Sequence, residues 1–315
     1  MTHLMILLFL LSIIIISKGA DWFIDSAVSI SSKCGIPQIV VGATIVSFAT
    51  VAPEFLVSVI AVYLGHTELA VGNAVGSVIC NTGLVMGFVL AVSSVSTFDR
   101  GFFVKCSFMM SSALVFLLFA YNGTITQLNG FFLLLIFFTF IYYNHRQQNT
   151  IWGKDSTSSR KEMMRDIKSE VFYFTIGAVF VIVGSRLLIY SGVEIATIIG
   201  IPEIIIGLTL VAFGTSVPEL VTAIASIVKK HQELSIGNII GANIMGITLI
   251  FGVAPFIRDI PILSQSLYYD IPVMLGLMVI VILPALVYRR LNRLTGILML
   301  GTYVAYIIGL FVWYM

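Results

Sequence analysis

Two glutamates identify the part of this chain where chemistry is expected, because each directly follows a proline within an apolar stretch. Glu54 and Glu219 are preceded by Thr50 and Thr215, four residues earlier, so each carboxylate shares a helical face with a hydroxyl. Carboxylates, hydroxyls, amides and carbonyls are the oxygen ligands that hard cations such as Ca²⁺ and Na⁺ prefer. The residue types and their spacing therefore predict a cation site.

Free backbone carbonyls and a polar helix face extend this ligand set. Pro53 and Pro218 lack an N–H and clash with the preceding turn, which frees carbonyls around Ser47 and Ala212. Such carbonyls are tolerated in a membrane only where they line a cavity or bind something. In the following stretch, polar residues recur every four positions on one helical face, namely Asn73, Ser77 and Asn81. The second half repeats the first of these residues as Asn238.

Both glutamates belong to a passage that occurs twice. Residues 42–87 align without a gap with residues 207–252, which lie 165 positions later, and 16 of the 46 aligned positions are identical. Both copies carry a GN-x-x-G motif, in which small residues four apart let helices pack closely. The asparagines of these motifs either contact an ion or tie broken backbone, and the sequence leaves both roles open. The duplication predicts two equivalent halves that each contribute one carboxylate.

The composition of the chain indicates whether these residues lie in a soluble protein or in a membrane. Hydrophobic residues make up 59% of the chain and charged residues 10%, with a mean hydropathy of +1.06. Soluble domains contain about half apolar and about a quarter charged residues. The three cysteines show no disulfide or metal-binding spacing. We therefore predict an all-α polytopic membrane protein whose partners are the lipid bilayer and small cations, with no nucleic-acid partner.

Apolar stretches long enough to cross a bilayer recur along the whole chain. We predict ten spans, near residues 4–31, 38–63, 69–95, 102–120, 127–144, 171–196, 203–228, 234–257, 268–288 and 293–313. The hydrophilic stretch 145–170 is predicted to be a cytoplasmic linker. It separates a first five-helix repeat, residues 1–144, from a second, residues 171–315.

The distribution of basic residues predicts the orientation. If the N-terminus lies outside, 14 of the 17 Lys and Arg residues fall in cytoplasmic connections, as the positive-inside rule requires. We therefore expect a multi-pass protein of the cytoplasmic membrane with both termini outside. Five spans is an odd number, so the second repeat must insert upside down relative to the first. Inverted-topology repeats are common in secondary transporters, which bind their substrate near the bilayer midplane.

Charges within the spans are costly and are functional candidates by default. A structural alternative is that Lys18 and Arg186 neutralise the two glutamates. Lys18 is also three residues from Asp21, and we expect these two to neutralise each other. Asp25, Glu194 and Asp270 lie near helix ends or amphipathic faces and are expected to be solvated: none of these three is predicted to bind an ion.

At these motifs the chain resembles the calcium/cation antiporter superfamily, most closely the prokaryotic sodium/calcium exchangers. GTSVPEL at 214–220 and GNIIGANI at 237–244 are highly specific, whereas ATVAPEF and GNAVGSVICN in the first half are more degenerate. The resemblance covers essentially the full chain. It implies exchange of Ca²⁺ for Na⁺ without a cofactor, with both ions competing for one cluster and spans one and six sliding across the other eight.

The resemblance also implies roles for individual residues. Glu54 and Glu219 would be the central calcium ligands, assisted by Thr50 and Thr215. The further oxygens would come from the backbone of Ser47 and Ala212 and from side chains lining sodium positions, namely Ser77, Asn81 and Ser216.

The chain departs from this pattern at three positions, each of which lacks a side-chain oxygen that the other repeat has. Val51 aligns with Ser216, Ala242 with Ser77, and Gly246 with Asn81. Two carboxylates can compensate one Ca²⁺ or two monovalent ions, whereas a third sodium would be less well compensated at low dielectric. We therefore hypothesise that the stoichiometry, or the driving ion, differs from the usual three-to-one exchange.

Other functions remain open at this stage. Two carboxylates in a dry site resist joint ionisation, so a proton- or other-cation-coupled divalent antiporter is the main alternative, and a cation channel is a weaker one. An enzyme is not expected, because the chain has neither an H-E-x-x-H nor a G-x-S-x-G motif. The sequence does not separate Ca²⁺ from Mn²⁺ or Mg²⁺, and it does not give the oligomeric state.

Overall fold

The computed structural model describes residues 2–34, 36, 38–93, 95, 100–152, 159–198, 214 and 216–314, and most of them are helical. Short breaks and tight connections separate the helices of the first half. They are α1 (Thr2–Cys34), α2 (Gln38–Val41), α3 (Ser47–Leu64), α4 (Thr67–Ile79), α5 (Gly87–Val92), α6 (Arg100–Ala120) and α7 (Gln127–Trp152).

The described helices of the second half follow in chain order. They are α8 (Ser159–Ile198), α9 (Val217–Val228), α10 (Gln232–Met245), α11 (Phe251–Val253), a 3₁₀ turn (Ala254–Phe256), α12 (Ile271–Tyr288) and α13 (Arg293–Tyr314).

Within the described residues, four π-helical turns interrupt these helices, at Gly42–Val46, Cys80–Met86, Gly246–Ile250 and Ser266–Asp270. The second and third occupy almost equivalent positions in the two repeats, because Gly246 aligns with Asn81. Wide turns of this kind disturb the regular hydrogen-bond ladder and are frequent at functional sites.

The chain is a multi-pass helical membrane protein. Within the described residues, eight helices are long and apolar enough to cross a membrane. A ninth is obtained if Gln38–Ala52 and Glu54–Leu64, which meet at 44°, are counted as one span. The bend falls at Pro53, a residue type that breaks the helical ladder. α9 is apolar but shorter, and residues 203–213 of the predicted seventh span lie outside the described residues, so the count of ten remains a prediction.

α1 and α8 pack along each other as a pair, because glycines bring their backbones into contact. A side chain at Gly19 would collide with Phe180 and the backbone of Val181, and one at Gly177 would collide with the backbone of Phe23. Close approach through small residues is typical of helix pairing in lipid. The two predicted spans one and six therefore form one compact helix pair.

α10 lies at the centre of the protein, and every residue from Leu234 to Met245 is buried. Side chains at Gly237 and Gly241 would collide with the backbone of Ile39 and Ala43 in the first half. The GN-x-x-G motif of the second half thus has the predicted packing role. It seats α10 against the segment that leads into α3, where Glu54 lies.

Contacts between connections agree with the predicted alternation of spans. The strands β1 (Thr124–Ile125) and β2 (Ile260–Pro261) pair antiparallel, and Val95 forms a bridge with Leu291. In the ten-span arrangement the two strands belong to connections on the outer side, and the bridge joins connections on the inner side.

The predicted linker is mostly the continuation of two helices. α7 extends to Trp152 and α8 begins at Ser159, so residues 145–152 and 159–170 are helical. Residues 153–158 lie outside the described part of the chain. Lys33 at the end of α1 forms a 2.9 Å ion pair with Glu170, which ties the linker end of α8 to α1. The division into two repeats and a linker remains a prediction.

Two predictions about other charges were wrong. Asp21 pairs with Lys229 at 3.2 Å instead of with Lys18. Asp270 is only 6% exposed and accepts a 3.0 Å hydrogen bond from the Tyr306 hydroxyl, so it is not a solvated residue. Both partners come from distant parts of the chain, which spacing along one helix does not reveal.

Candidate cation site

Glu54 on α3 and Glu219 on α9 lie close together in the interior. They are 2% and 0% exposed, and their carboxylates are near enough to interact directly. None of the ion pairs among the described residues includes either glutamate. Lys18 and Arg186 have exposed side chains and form no ion pair with either glutamate among the described residues, although Arg186 lies near enough to Glu54 to act on it electrostatically.

Several predicted site residues carry buried oxygens without a hydrogen-bond partner. The described residues contain nine buried side-chain oxygens of this kind, and six of them belong to predicted site residues: Glu54 Oε1, Glu219 Oε1 and Oε2, Ser77 Oγ, Asn81 Oδ1 and Ser216 Oγ. Buried polar atoms are almost always hydrogen-bonded, and each one left without a partner costs about 1–3 kcal/mol. This concentration of unsatisfied acceptors has the chemistry of a cation site.

The site draws on both repeats. Ser77 of α4 and Ser216, just before α9, approach the Glu54 carboxylate. Thr50 of α3 approaches the Glu219 carboxylate from the other repeat. Among the described residues, no three His, Cys, Asp or Glu side chains cluster closely enough to hold a metal ion together. With both glutamates ionised, the site therefore carries a charge of −2 surrounded by neutral oxygens.

The two glutamates are presented by different local structures. Glu219 lies in the first turn of α9, with Ser216 as the N-cap residue and a proline in the opening turn. Backbone N–H groups at a helix start are not yet engaged, and they favour an adjacent negative charge. Glu54 instead follows Pro53 in mid-helix, where the missing N–H leaves the carbonyl of Ala49 without its helical donor. The sequence predicted freed carbonyls around Ser47, and the carbonyl that lacks its donor is that of Ala49, two residues further along the chain.

Thr50 and Ser47 are held by hydrogen bonds that cross between the repeats. The Thr50 hydroxyl donates to the Ser47 carbonyl at 3.4 Å and to Asn238 Oδ1 at 3.3 Å. Ser47 Oγ donates to the carbonyls of Gly42 at 2.7 Å and Asn238 at 2.9 Å. The Ser47 side chain is therefore a structural tie, and its carbonyl is the atom directed to Thr50.

The two asparagines of the GN-x-x-G motifs hold the glutamate helices. Asn73 Nδ2 donates to the Glu54 carbonyl at 3.2 Å and to Ser58 Oγ at 2.9 Å. Asn238 Nδ2 donates to Thr222 Oγ1 at 3.4 Å, and that hydroxyl donates to the Glu219 carbonyl at 3.0 Å. Of the two roles left open by the sequence, the described contacts favour the backbone tie.

Ser58 and Thr222 are the polar residues that the site prediction did not include. They lie four and three residues after their glutamates, so the same helical spacing that selected Thr50 would have found them. Thr215 and Ala212, which were predicted to supply a hydroxyl and a carbonyl, lie outside the described residues.

An apolar surface of the α1–α8 pair faces the site across a narrow gap. The residues on the two sides of this gap are Phe23, Ala178, Val181 and Ile182 on the helix pair, and Ala49, Thr50 and Pro218 on the site side. Apolar contact is non-directional. Among the described residues, no hydrogen bond joins the two sides of this gap.

The fold defines the class of protein, a multi-pass membrane transporter and not an enzyme, in agreement with its relatives. The family described as "Sodium/calcium exchanger protein" matches residues 4–145 and 169–312. The chain belongs to the sodium/calcium exchanger family.

Individual relatives align over nearly the whole chain. The sodium/calcium exchanger MaX1 of Methanosarcina acetivorans is 28% identical over 97% of this chain and 98% of that protein. The inner membrane protein YrbG of Escherichia coli is 31% identical over 96% of both proteins. A solved structure of the sodium-calcium exchanger NCX_Mj, soaked with Na⁺ and Sr²⁺, matches with a TM-score of 0.87 and 27% identity, covering 98% of this chain and 99% of that one.

Proposed function

We propose that this protein is a secondary active antiporter that exchanges Ca²⁺ for Na⁺ at a site built on Glu54 and Glu219. The observation that carries the proposal is the pair of buried carboxylates, which have three oxygens without hydrogen-bond partners among the described residues. A divalent cation satisfies these acceptors and compensates the charge of −2 in one step. Family membership supports the same two transported ions, Ca²⁺ and Na⁺.

Neutral oxygens complete the proposed coordination. Ca²⁺ takes six to eight oxygen ligands at about 2.3–2.6 Å, more than two carboxylates provide. Thr50, Ser77, Asn81 and Ser216 are the described residues proposed to supply the rest. Thr215 and the carbonyls of Ser47 and Ala212 are proposed from the sequence alone.

Alternating access is proposed to arise from movement of the α1–α8 pair over the site. The apolar gap beside Thr50 favours sliding of this pair, because none of the described residues forms a hydrogen bond across it. Ca²⁺ and Na⁺ compete for the same oxygens, so each ion would cross in its own half-cycle. The inverted repeats would give the two access states related shapes.

We also propose that the protein resides in the cytoplasmic membrane with both termini outside. The positive-inside bias supports this orientation. The cross-contacts between connections support the alternation on which it rests, since β1 pairs with β2 on one side and Val95 with Leu291 on the other.

The test is counter-ion-dependent ⁴⁵Ca²⁺ flux into proteoliposomes with Glu54→Gln and Glu219→Gln. Each variant removes one negative charge but preserves side-chain size. Removing one partner from a buried charge cluster costs about 3 kcal/mol or more, so we expect transport to fall at least ~100-fold. Undiminished flux in both variants would refute the proposal.

The duplication provides matched controls. Glu68 and Glu233 also match between the repeats, but their side chains are exposed in the first turns of α4 and α10. Glu68→Gln and Glu233→Gln should therefore retain wild-type flux. Flux driven by a pH gradient and not by a Na⁺ gradient would favour the proton-coupled alternative. Flux without any counter-transport would favour a channel.

A further inference from the structure

We propose that the cation site lacks, on α10, side-chain oxygens that the first repeat supplies at the equivalent positions, and that it consequently exchanges two Na⁺ for one Ca²⁺ without net charge movement. This inference rests on the proposed function and specifies its stoichiometry. The positions that set the ratio are Ala242 and Gly246, where side-chain oxygens are missing, with Val51 as a third such position.

The first repeat presents a stripe of oxygens toward the site. Asn73, Ser77 and Asn81 lie four residues apart on one face of α4 and the π-helical turn that follows it. Ser77 Oγ and Asn81 Oδ1 are both buried and have no hydrogen-bond partner in the described chain. This stripe therefore offers two free acceptors beyond the asparagine that ties α3.

The corresponding stripe on α10 begins in the same way but loses its oxygens. Asn238 is engaged with Thr50 and Thr222, so this face of α10 is directed at the site. One and two turns further on, the same face carries Ala242, which is 2% exposed, and Gly246, which is buried. Neither residue has a side-chain oxygen, so at these two positions α10 has no counterpart of the Ser77 and Asn81 acceptors.

Packing does not require a glycine at position 246. Its backbone has φ −55° and ψ −42°, a right-handed helical conformation that any residue adopts. A Cβ there would lie 3.5 Å from Val78 Cγ2, an ordinary van der Waals contact. Gly237 and Gly241 on the same helix are different, because side chains there would collide with the backbone of α2 and the adjoining π-helical turn. The absent oxygen at 246 is thus a property of the site and not a consequence of crowding.

Charge arithmetic converts this geometry into a ratio. Glu54 and Glu219 supply −2, and no third acidic side chain clusters with them among the described residues. One Ca²⁺ or two Na⁺ neutralise this charge, whereas a third Na⁺ would add a net positive charge in a low-dielectric interior. That ion would also face Ala242 and Gly246, where no side chain replaces its hydration oxygens. Two sodium ions are therefore the number that both the charge and the ligands accommodate.

The stoichiometry can be measured at equilibrium in proteoliposomes containing the full chain. A fixed Na⁺ gradient and a membrane potential set with K⁺ and valinomycin are imposed, and the limiting ⁴⁵Ca²⁺ ratio is read. With two Na⁺ per Ca²⁺, a roughly tenfold Na⁺ gradient supports a ~100-fold Ca²⁺ ratio that is independent of voltage. With three, the ratio is ~1,000-fold, and it changes about tenfold for every ~60 mV.

Restoring the missing oxygens tests the assignment to these positions. Ala242→Ser with Gly246→Asp restores oxygens at both positions and adds the negative charge that a third Na⁺ requires, and we expect the Ca²⁺ ratio to become voltage-dependent. Ala242→Cys with Gly246→Ala adds bulk at the same positions without a hard oxygen, and the ratio should stay at two.

The outcomes separate the two levels of the proposal. Voltage-dependent coupling with three Na⁺ in the wild type would overturn the ratio and leave Na⁺/Ca²⁺ exchange standing. A voltage-independent ratio in the restored variant would overturn the role of Ala242 and Gly246. Absence of any Na⁺-driven Ca²⁺ movement would overturn the proposed function itself, and the stoichiometry with it.

Discussion

Lys229 is expected to control the balance between the two access states. It lies after α9, and its Nζ is 2.8 Å from Asp25 Oδ2 and 3.2 Å from Asp21 Oδ1 on α1. The same ammonium group donates to the Asp21 carbonyl at 3.2 Å. These contacts join the α1–α8 pair to the remainder of the protein. Lys229→Ala should therefore destabilise the arrangement seen here relative to the alternative one.

The size of the effect follows from the exposure of these groups. The Lys229 side chain is 20% exposed, but Asp21 and Asp25 are 48% and 68% exposed, so solvent screens both pairs strongly. Ion pairs of this kind contribute about 0.2–1 kcal/mol each. Two such pairs contribute about 0.4–2 kcal/mol. This free energy corresponds to a roughly two- to thirtyfold change in the ratio of the two access states.

Double electron–electron resonance between spin labels measures this ratio directly. Exposed Ile14 on α1 and exposed Leu298 on α13 are suitable label sites in a background without native cysteines. The control is Lys33→Ala, which removes the 2.9 Å pair with Glu170. Because Lys33 and Glu170 both belong to the α1–α8 pair, this change should not alter the distance distribution.

Ionic strength provides the decisive comparison. At 1 M salt the Debye length falls to about 3 Å, so wild type and Lys229→Ala should converge. Equal shifts in Lys229→Ala and Lys33→Ala would refute the reasoning. So would a Lys229→Ala shift that persists unchanged in high salt, because the effect would then not be electrostatic.

Three further changes test the packing around the site. Gly241→Ala adds a Cβ that collides with the backbone leading into α3, so thermal unfolding in detergent should show a loss of about 1–3 kcal/mol. Asn73→Ala removes the donor to the Glu54 carbonyl; at ~0.5–1.5 kcal/mol per hydrogen bond, the apparent Ca²⁺ affinity in flux assays should fall about two- to tenfold. Tyr306→Phe leaves Asp270 without its 3.0 Å donor and should lower stability by about 1–3 kcal/mol, whereas Ca²⁺ flux per folded molecule should be retained.

Much of the site was predictable because membrane burial makes polar residues conspicuous. Glu54, Ser77 and Asn81 are unusual residues in apolar helices, and helical spacing assigns them to faces that the structure brings together. The duplication added Glu219 without further assumptions. The multi-pass helical class followed from the composition and the hydropathy pattern. Charged residues are few, and apolar stretches long enough to cross a bilayer recur along the chain.

Long-range partners could not be predicted. Spacing along α1 suggested that Asp21 pairs with Lys18, but the helix crossing brings Lys229 to it instead. Asp270 appeared to be at a solvated end, yet α13 supplies Tyr306 from 36 residues away. The π-helical turns were also missed, because hydrophobic periodicity averages over a single wide turn.

An inverted repeat whose halves were identical would give its two access states equal energies, so residues that differ between the halves must set any bias. The position equivalent to Lys229 is Leu64, and the position equivalent to Asp21 is Arg186. The ion-pair contact to α1 therefore has no counterpart in the opposite state. Glu54 and Glu219, by contrast, are matched, as a cation that must be held in both states requires. Under the proposed alternating access, the bound ion would thus leave the two states balanced, and the contact made by Lys229 would favour one of them.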